Sequence, residues 1–139
     1  MTPKALADLL RNKAKGRPGR FMVAIAGPPA SGKTTLAADL AHALGHGARV
    51  VPMDGFHFDD TILTARGHQS RKGAPLTFDV AGFAHCLTRI RAGEEVAIPV
   101  FDRSLELARA AADVVGPEDK IILVEGNYLL LNRAPWADL

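Results

Sequence analysis

Residues Gly27 to Thr34 have the types and spacing that bind the phosphates of a nucleotide. They match G-x-x-x-x-G-K-[ST], in which backbone N–H groups surround the phosphates and glycines allow close approach to the main chain. The Lys33 ammonium is expected to reach the β- and γ-phosphates, and the Thr34 hydroxyl to bind Mg²⁺. The predicted nucleotide-binding residues are Gly27, Pro28, Pro29, Ala30, Ser31, Gly32, Lys33, Thr34 and Thr35.

The flanking residues predict the strand and the helix that such a loop requires. Residues 21–26 form a continuous apolar run, which is typical of a strand buried on both faces. Leu36 and Leu40 belong to a helical apolar pattern over 34–44, and Gly45 predicts the end of that helix. The amide dipoles of the predicted helix would point at the phosphates.

Two carboxylates are predicted to follow strands that lie beside this loop. Asp54 ends a short strand predicted for 49–54, and Glu125 ends a buried strand predicted for 121–126. Open α/β sheets bind ligands at the carboxyl ends of their strands. Asp54 is therefore the candidate general base for a substrate hydroxyl, and Glu125 and Thr34 are the candidate magnesium ligands. A structural or magnesium-shell role for Asp54 stays open.

The rest of the chain predicts elements that would surround this site. They are an amphipathic helix over 3–14 with Thr2 as its cap, an extended loop over 61–78, a helix capped by Asp79 and ended by Gly93, and a strand over 96–100. Residues 104–112 stay ambiguous, because their leucines and alanines favour a helix whereas the turn at 116–119 favours a hairpin.

Composition limits the classes of function. With 139 residues the chain is predicted to form one domain, 1–139. A net charge of +2 without a run of basic residues argues against a nucleic-acid partner. No apolar run approaches the roughly 18 residues that cross a membrane, and no signal peptide is recognisable. We therefore expect a cytoplasmic protein, and its single cysteine, Cys86, excludes an internal disulfide.

Other nucleotide-dependent classes make different demands on the sequence. A guanine-nucleotide switch needs D-x-x-G and N-K-x-D motifs, but the chain has Glu125-Gly126 and Asn132-Arg133-Ala134-Pro135 in their places. A plain ATPase would not require Asp54 and the aromatic-rich segment that follows it. A non-catalytic or regulatory ATP-binding or ATPase module is the alternative to an enzyme.

Four further motifs, in order along the chain, resemble the phosphoribulokinase/uridine kinase family of P-loop kinases. They are D-G-F-H at 54–57, R-K-G-A-P-L-T-F-D at 71–79, P-V-F-D-R at 99–103 and V-E-G-N-Y at 124–128. The resemblance implies the P-loop NTPase fold, a three-layer α/β/α arrangement with a parallel sheet. It also implies transfer of the γ-phosphate of ATP·Mg²⁺ to a hydroxyl of a small metabolite: a sugar, a nucleoside or a pantothenate-like acceptor.

The resemblance also implies roles for individual residues. The family's general base matches Asp54, and the glutamate that helps to hold magnesium matches Glu125. The family's acceptor pocket matches His57, Arg71, Lys72, Phe101, Asp102 and Arg103. The basic members of that set could bind an anionic acceptor or the nucleotide phosphates, or could instead be solvated or form surface ion pairs. Uridine kinases have a histidine where this chain has Glu106, so the acceptor stays open.

Finally, the resemblance predicts structure that this chain lacks. Family members continue past the counterpart of Gly126 with more parallel strands and an arginine-bearing lid, whereas this chain ends at Leu139. We expect the 139 residues to be the N-terminal portion of a longer kinase, with an incomplete sheet and weak activity. The strand over 21–26, expected at the centre, would have an open apolar flank that favours association, a homodimer included.

Overall fold

The computed structural model describes residues 1–139, which form four helices and five strands. The helices are α1 (Pro3–Ala14), α2 (Lys33–Leu44), α3 (Asp60–Arg66) and α4 (Val80–Arg91). The strands are β1 (Phe21–Ala26), β2 (Ala48–Pro52), β3 (Val96–Asp102), β4 (Leu107–Val115) and β5 (Ile121–Gly126). None of the helices combines the length and the apolar character needed to cross a bilayer.

Three strands form a parallel sheet in the order β1-β5-β2. Val124 of β5 pairs with Ala24 on one side and with Val51 on the other. β5 therefore occupies the centre of this three-stranded sheet and β1 lies at an edge, so the open flank expected for the strand over 21–26 is present. Burial agrees with this order: every residue of β5 is buried, whereas Ala24 and Ala26 are exposed.

Helices cover both faces of this sheet, which confirms the α/β class with three layers. Leu123 points toward α1 and α2, where it shares a core with Leu10 and Leu40. Its neighbours in β5 point to the opposite face, because successive side chains of a strand alternate. They join the larger core, which contains Phe83 and Ile90 of α4. Leu36, expected on the apolar side of α2, is instead 38% exposed, and Ala37 takes the inward position.

The remaining two strands, β3 and β4, form a separate antiparallel hairpin. This hairpin resolves the ambiguity over 104–112, since residues from Leu107 onward pair with β3 and do not form a helix. Arg49 of β2 joins the hairpin to the parallel sheet: its guanidinium contacts Asp113 at 3.0 Å and the buried Asp119 at 3.2 Å. The second sheet is thereby held at a defined place beside the first.

Two predictions about the segments near the site are wrong. The strand predicted for 49–54 ends at Pro52, and Asp54 lies in a 3-10 helix over Met53–Phe56. The loop predicted for 61–78 contains α3 and two 3-10 turns, at Gln69–Arg71 and Pro75–Thr77. Local signals explain α3, because the Asp59 carboxylate accepts a hydrogen bond from the Thr61 amide at its start and Gly67 ends it with φ +73°.

The helices predicted for 3–14 and from Asp79 are confirmed. Thr2 caps the first by accepting a hydrogen bond from the Ala5 amide at 3.1 Å. Asp79 caps α4 in the same way through the Gly82 amide at 2.9 Å. Cys86 lies on the buried side of α4, where burial raises the pKa of its thiol.

Candidate active site

The phosphate loop connects β1 to α2, as its motif requires. The first turn of α2 begins at Lys33, one residue earlier than predicted. Gly32 has φ +86°, in the left-handed region that favours glycine. A Cβ on Gly27 would lie 2.7 Å from the Ser31 hydroxyl oxygen, which would have to rotate away, so the loop is closely packed at this point. The α2 N-terminus and these backbone N–H groups suit the binding of an anion.

A cleft of about 480 Å³ opens in front of this loop. Its walls bring together residues that are far apart in the sequence: Pro29, Ala30, Gly32, Lys33, Thr34, Thr35, Asp54, Arg103 and Asn127. A second cleft of about 250 Å³ adjoins it, shares Thr34, Asp54 and Arg103, and adds Phe101 and Glu125. Asp54 therefore stands where a phosphate site and a smaller, more apolar space meet.

Thr34 and Glu125 form the candidate magnesium site. The Thr34 hydroxyl donates a hydrogen bond to Glu125 Oε1 at 3.0 Å, and Glu125 is only 6% exposed. No cluster of three or more His, Cys, Asp or Glu residues could hold a metal ion. Two neighbouring oxygen ligands beside a phosphate site nevertheless fit Mg²⁺, which binds through one or two protein oxygens, waters and substrate phosphates. The residues present therefore fit this ion.

Close packing positions Asp54. A Cβ on Gly126 would lie 2.6 Å from Met53 Cβ, so the residue before Asp54 packs directly on the end of β5. On the other side, a Cβ on Gly55 would lie 2.5 Å from the Pro99 carbonyl oxygen of β3. Asp54 is thus held between the two sheets, although it does not lie within a strand.

The carboxylate of Asp54 is accessible from the cleft. Its Oδ2 atom lies 3.4 Å from Arg103 Nη2, and the Arg103 side chain is 77% exposed. An ion pair this long and this exposed contributes at most about 1 kcal/mol. Arg103 therefore neutralises part of the charge on Asp54 without enclosing it, and the second carboxylate oxygen has no protein partner.

His57 brings the aromatic residues of three segments together. Its ring centroid lies 3.9 Å from that of Phe78 and 5.0 Å from that of Phe101. A single β-bridge between His57 and Phe78 joins the backbones, and His57 Nδ1 lies 2.9 Å from the Asp54 carbonyl oxygen. The segments over 54–57, 71–79 and 99–103 therefore meet beside Asp54.

The polar groups of Lys72 and Asp102 are engaged within the protein. Lys72 Nζ donates a hydrogen bond to Asp60 Oδ1 at 2.8 Å and another to the Glu106 carbonyl oxygen at 2.9 Å. Asp102 Oδ1 accepts hydrogen bonds from the hydroxyl and amide of Ser104 at 2.6 and 3.0 Å. These contacts lie at the turn between β3 and β4, and acceptor binding by the two residues stays a prediction.

Arg71 lies outside both clefts in front of the phosphate loop. It lines a different cavity, of about 460 Å³, together with Arg133 and Trp136. The neighbouring Gly73 carbonyl oxygen accepts a hydrogen bond from the Tyr128 hydroxyl at 2.7 Å. Arg71 is the last residue of the 3-10 turn over Gln69–Arg71 and lines this cavity, whereas the next residue, Lys72, contacts α3 and the hairpin.

Asn127 is a site residue to which the sequence motifs assigned no role. It lines the phosphate cleft directly after β5, and its Oδ1 atom is buried without a hydrogen-bond partner. An unsatisfied buried amide beside a ligand cleft is a candidate ligand contact. Its position after Glu125 and Gly126, at the end of a buried strand, was the signal that could have identified it.

The parallel sheet, the phosphate loop and the Thr34–Glu125 pair define a protein of the P-loop class. No family model matches the chain. A crystal structure from Silicibacter sp., provisionally named a fructose transport system kinase, aligns over the whole chain with 47% identity and a TM-score of 0.92. The chain covers 69% of that structure.

Curated relatives agree with that comparison. A Schizosaccharomyces pombe protein, provisionally named a uridine kinase, is 35% identical in an alignment 131 residues long that covers 86% of this chain. The pantothenate kinase of Halalkalibacterium halodurans is 33% identical in an alignment 121 residues long that covers 81% of this chain. The chain spans 55% of the first relative's length and 38% of the second's. It belongs to the phosphoribulokinase/uridine kinase-like family of P-loop kinases.

Proposed function

We propose that the protein is an ATP-dependent phosphotransferase that moves the γ-phosphate of ATP·Mg²⁺ to a hydroxyl group of a small metabolite. One observation carries the proposal: Lys33, Thr34 and Asp54 line the same cleft, with the buried Glu125 hydrogen-bonded to Thr34. The named relatives support the kinase class, and because their names refer to fructose transport, uridine and pantothenate, they leave the acceptor open.

The phosphate side of the cleft would bind and neutralise the nucleotide. The loop amides and the Lys33 ammonium compensate the negative charge of the β- and γ-phosphates. The Thr34 hydroxyl and the Glu125 carboxylate would hold Mg²⁺, directly or through a bound water. Bound Mg²⁺ supplies further charge neutralisation at the transferred phosphoryl group. Asn127, with its unpartnered amide oxygen, is placed to contact a ligand in the same cleft.

Asp54 would act on the acceptor. Its carboxylate accepts the proton of the acceptor hydroxyl while the acceptor oxygen forms a bond to the γ-phosphorus. The bond between that phosphorus and the β,γ-bridging oxygen breaks, and ADP leaves. Arg103, 3.4 Å from Asp54, adds positive charge on the acceptor side, and Phe101 and His57 supply an aromatic wall for the acceptor's apolar face.

A substrate panel with an Asp54→Asn variant tests the proposal. Pantothenate, nucleosides, and ketose and aldose sugars are each assayed for ATP-dependent phosphorylation. Asp54→Asn should retain ATP·Mg²⁺ binding but lose roughly 10²-fold or more in turnover, the usual scale for a positioned base. Asp39→Asn is the matched control, because Asp39 is exposed on α2 and does not line the cleft.

Two results would contradict the proposal in different ways. If folded Asp54→Asn loses ATP·Mg²⁺ binding, Asp54 belongs to the metal shell and is not the base. If ATP binds but no acceptor in the panel is phosphorylated, the chain acts as a nucleotide-binding module.

A further inference from the structure

We propose that Lys72 is a positioning residue that locks the tip of the β3–β4 hairpin, residues 103–106, against α3. In this role its ammonium does not bind the substrate. It holds the wall of the cleft that faces Asp54. The inference rests on the proposed function for its kinetic consequence, but its structural part can be tested without any substrate.

The ammonium of Lys72 joins two elements that are otherwise separate. It reaches α3 through Asp60 Oδ1 at 2.8 Å and the hairpin tip through the Glu106 carbonyl oxygen at 2.9 Å. A carboxylate oxygen of Glu106 lies 3.6 Å away and adds an ion pair. The Lys72 side chain is only 18% exposed, whereas that of Asp60 is about half exposed and that of Glu106 is mostly exposed.

The charge of Lys72 is maintained by this environment. Burial by itself disfavours the ammonium, but the hydrogen bond to Asp60 and the charges of Asp60 and Glu106 outweigh it and raise the pKa of Lys72. A group that is already shielded and bonded to two partners has little capacity left for a substrate anion. Direct binding of a ligand, the other role predicted for Lys72, therefore disagrees with its contacts to Asp60 and Glu106.

The two halves of the hairpin tip are held by different contacts. Asp102 holds the first half through the amides of Ser104 and Leu105 at 3.0 and 3.2 Å, and its backbone pairs with Leu107 directly after the tip. Glu106, the last residue of the tip, has φ +54°, a left-handed conformation that residues other than glycine rarely adopt. The Lys72 ammonium bonds directly to the carbonyl oxygen of this residue and so fixes the second half of the turn.

Fixing the tip also positions two groups of the acceptor side. Arg103 lies within the tip and approaches Asp54. Phe101 lies two residues before Arg103, and its ring centroid is 5.4 Å from Lys72 Nζ on one side and 5.0 Å from the His57 ring centroid on the other. Lys72 does not line the phosphate cleft. Phe101 lines only the adjoining cleft, whereas Arg103 lines both, so removal of Lys72 should disturb acceptor binding more than nucleotide binding.

A Lys72→Met variant of the full chain tests the inference with two measurements. Hydrogen exchange of the backbone amides over 103–109, without ligand, should accelerate by roughly tenfold or more, because hydrogen bonds to a charged group are lost. With the acceptor from the substrate panel, the KM for the acceptor should rise about tenfold while the KM for ATP changes less than twofold. Lys13→Met is the control, because Lys13 is exposed on α1 and forms no ion pair.

The two measurements distinguish a Lys72 that fixes the hairpin tip from a Lys72 that binds the acceptor directly. Unchanged exchange in folded Lys72→Met would overturn the inference even if the protein is a kinase. A higher acceptor KM without faster exchange would show direct binding by Lys72 and would also overturn it. If no acceptor is phosphorylated, faster exchange still supports the tie while the proposed function fails. Should Lys72→Met not fold, Asp60→Asn weakens the same tie and should accelerate exchange over 103–109 to a smaller extent.

Discussion

The two sides of the cleft are built in different ways. The phosphate side consists of one contiguous loop, the first turn of α2 and the end of β5, and most of its contacts to a nucleotide would come from backbone N–H groups. The acceptor side consists of single side chains from three separate segments, among them His57, Phe101 and Arg103, and part of it lies on a two-stranded hairpin.

This difference predicts different sensitivities to mutation. Glu125 lies in a strand that is buried along its whole length and paired on both sides, so its position is over-determined. The exposed hairpin tip depends on a few side-chain ties, from Asp102 and Lys72. We therefore expect substitutions on the phosphate side to act on charge and chemistry, and substitutions on the acceptor side to act first on geometry.

The largest effect is expected on the phosphate side, for Lys33→Ala. Removing the ammonium leaves the β- and γ-phosphate charge uncompensated, so turnover should fall by about 10²-fold or more. Nucleotide affinity, measured by calorimetry with ATP·Mg²⁺, should also fall. Lys4→Ala on the exposed side of α1 serves as the control and should behave like the unmodified protein. Unchanged affinity and rate in Lys33→Ala would mean that the loop does not bind a nucleotide.

A smaller effect, on stability, is expected at the junction of the two sides. Gly55→Ala places a Cβ against the rigid Pro99 backbone at 2.5 Å, so β3 and the Asp54 segment must separate. We expect a loss of about 1–3 kcal/mol in the free energy of unfolding, measured with denaturant. Acceptor turnover should fall more than nucleotide affinity.

Gly116→Ala is the matched control for that variant. Its Cβ would also meet an atom at 2.9 Å, but that atom is the flexible end of the Glu118 side chain and can move. Equal destabilisation of the two variants would show that the contact between Gly55 and Pro99 does not set the distance between the two sides.

The smallest effect is expected for Ser104→Ala in the hairpin tip. The pKa of Asp102 lies below 3.8, mainly because its carboxylate accepts a hydrogen bond from the Ser104 hydroxyl. Hydrogen bonds from the Leu105 and Ser104 amides and the charge of Arg109 lower this pKa further. Because the pKa of Asp102 is lower in the folded protein than in the unfolded chain, its ionised carboxylate stabilises the folded state at pH values above the unfolded pKa. This contribution to the free energy of unfolding is lost as the pH falls through the folded pKa. Ser104→Ala should raise this pKa toward 3.8, as measured by a carboxyl NMR titration.

Ser70→Ala is the control for that titration, since Ser70 is an exposed serine that makes no contact with Asp102. The nucleotide affinity of Ser104→Ala should equal that of the unmodified protein. A change in nucleotide affinity would contradict the separation between the two sides of the cleft.

Much of the phosphate side could be predicted because its information is local. The loop, the strand before it and the helix after it follow one another in the chain, and α2 begins within one residue of its predicted start. The strand that carries Glu125 was recognisable from its continuous apolar run. Strand order was not recognisable, because two equally apolar runs do not indicate which of them pairs on both edges.

The sequence identified the segments that would form the acceptor side, but it did not show which of their side chains lie next to one another. The structure brings His57 and Phe101 together, leaves Arg71 in another cavity, and engages Lys72 with Asp60 and Glu106. Asp54 was placed correctly beside the phosphate loop but on the wrong element, because a 3-10 helix over four residues has no periodicity that a sequence pattern can reveal.

The sequence by itself determined the chemistry that is available: a loop for phosphates, two carboxylates at the ends of predicted strands, and a group of basic and aromatic residues further along. Only the tertiary structure decided which of those groups face the cleft. The physical reason is that a phosphate loop is made by backbone angles, which neighbouring residues specify. The direction of a lysine or an arginine instead depends on which carboxylates and carbonyl oxygens the distant chain places within about 3 Å of it.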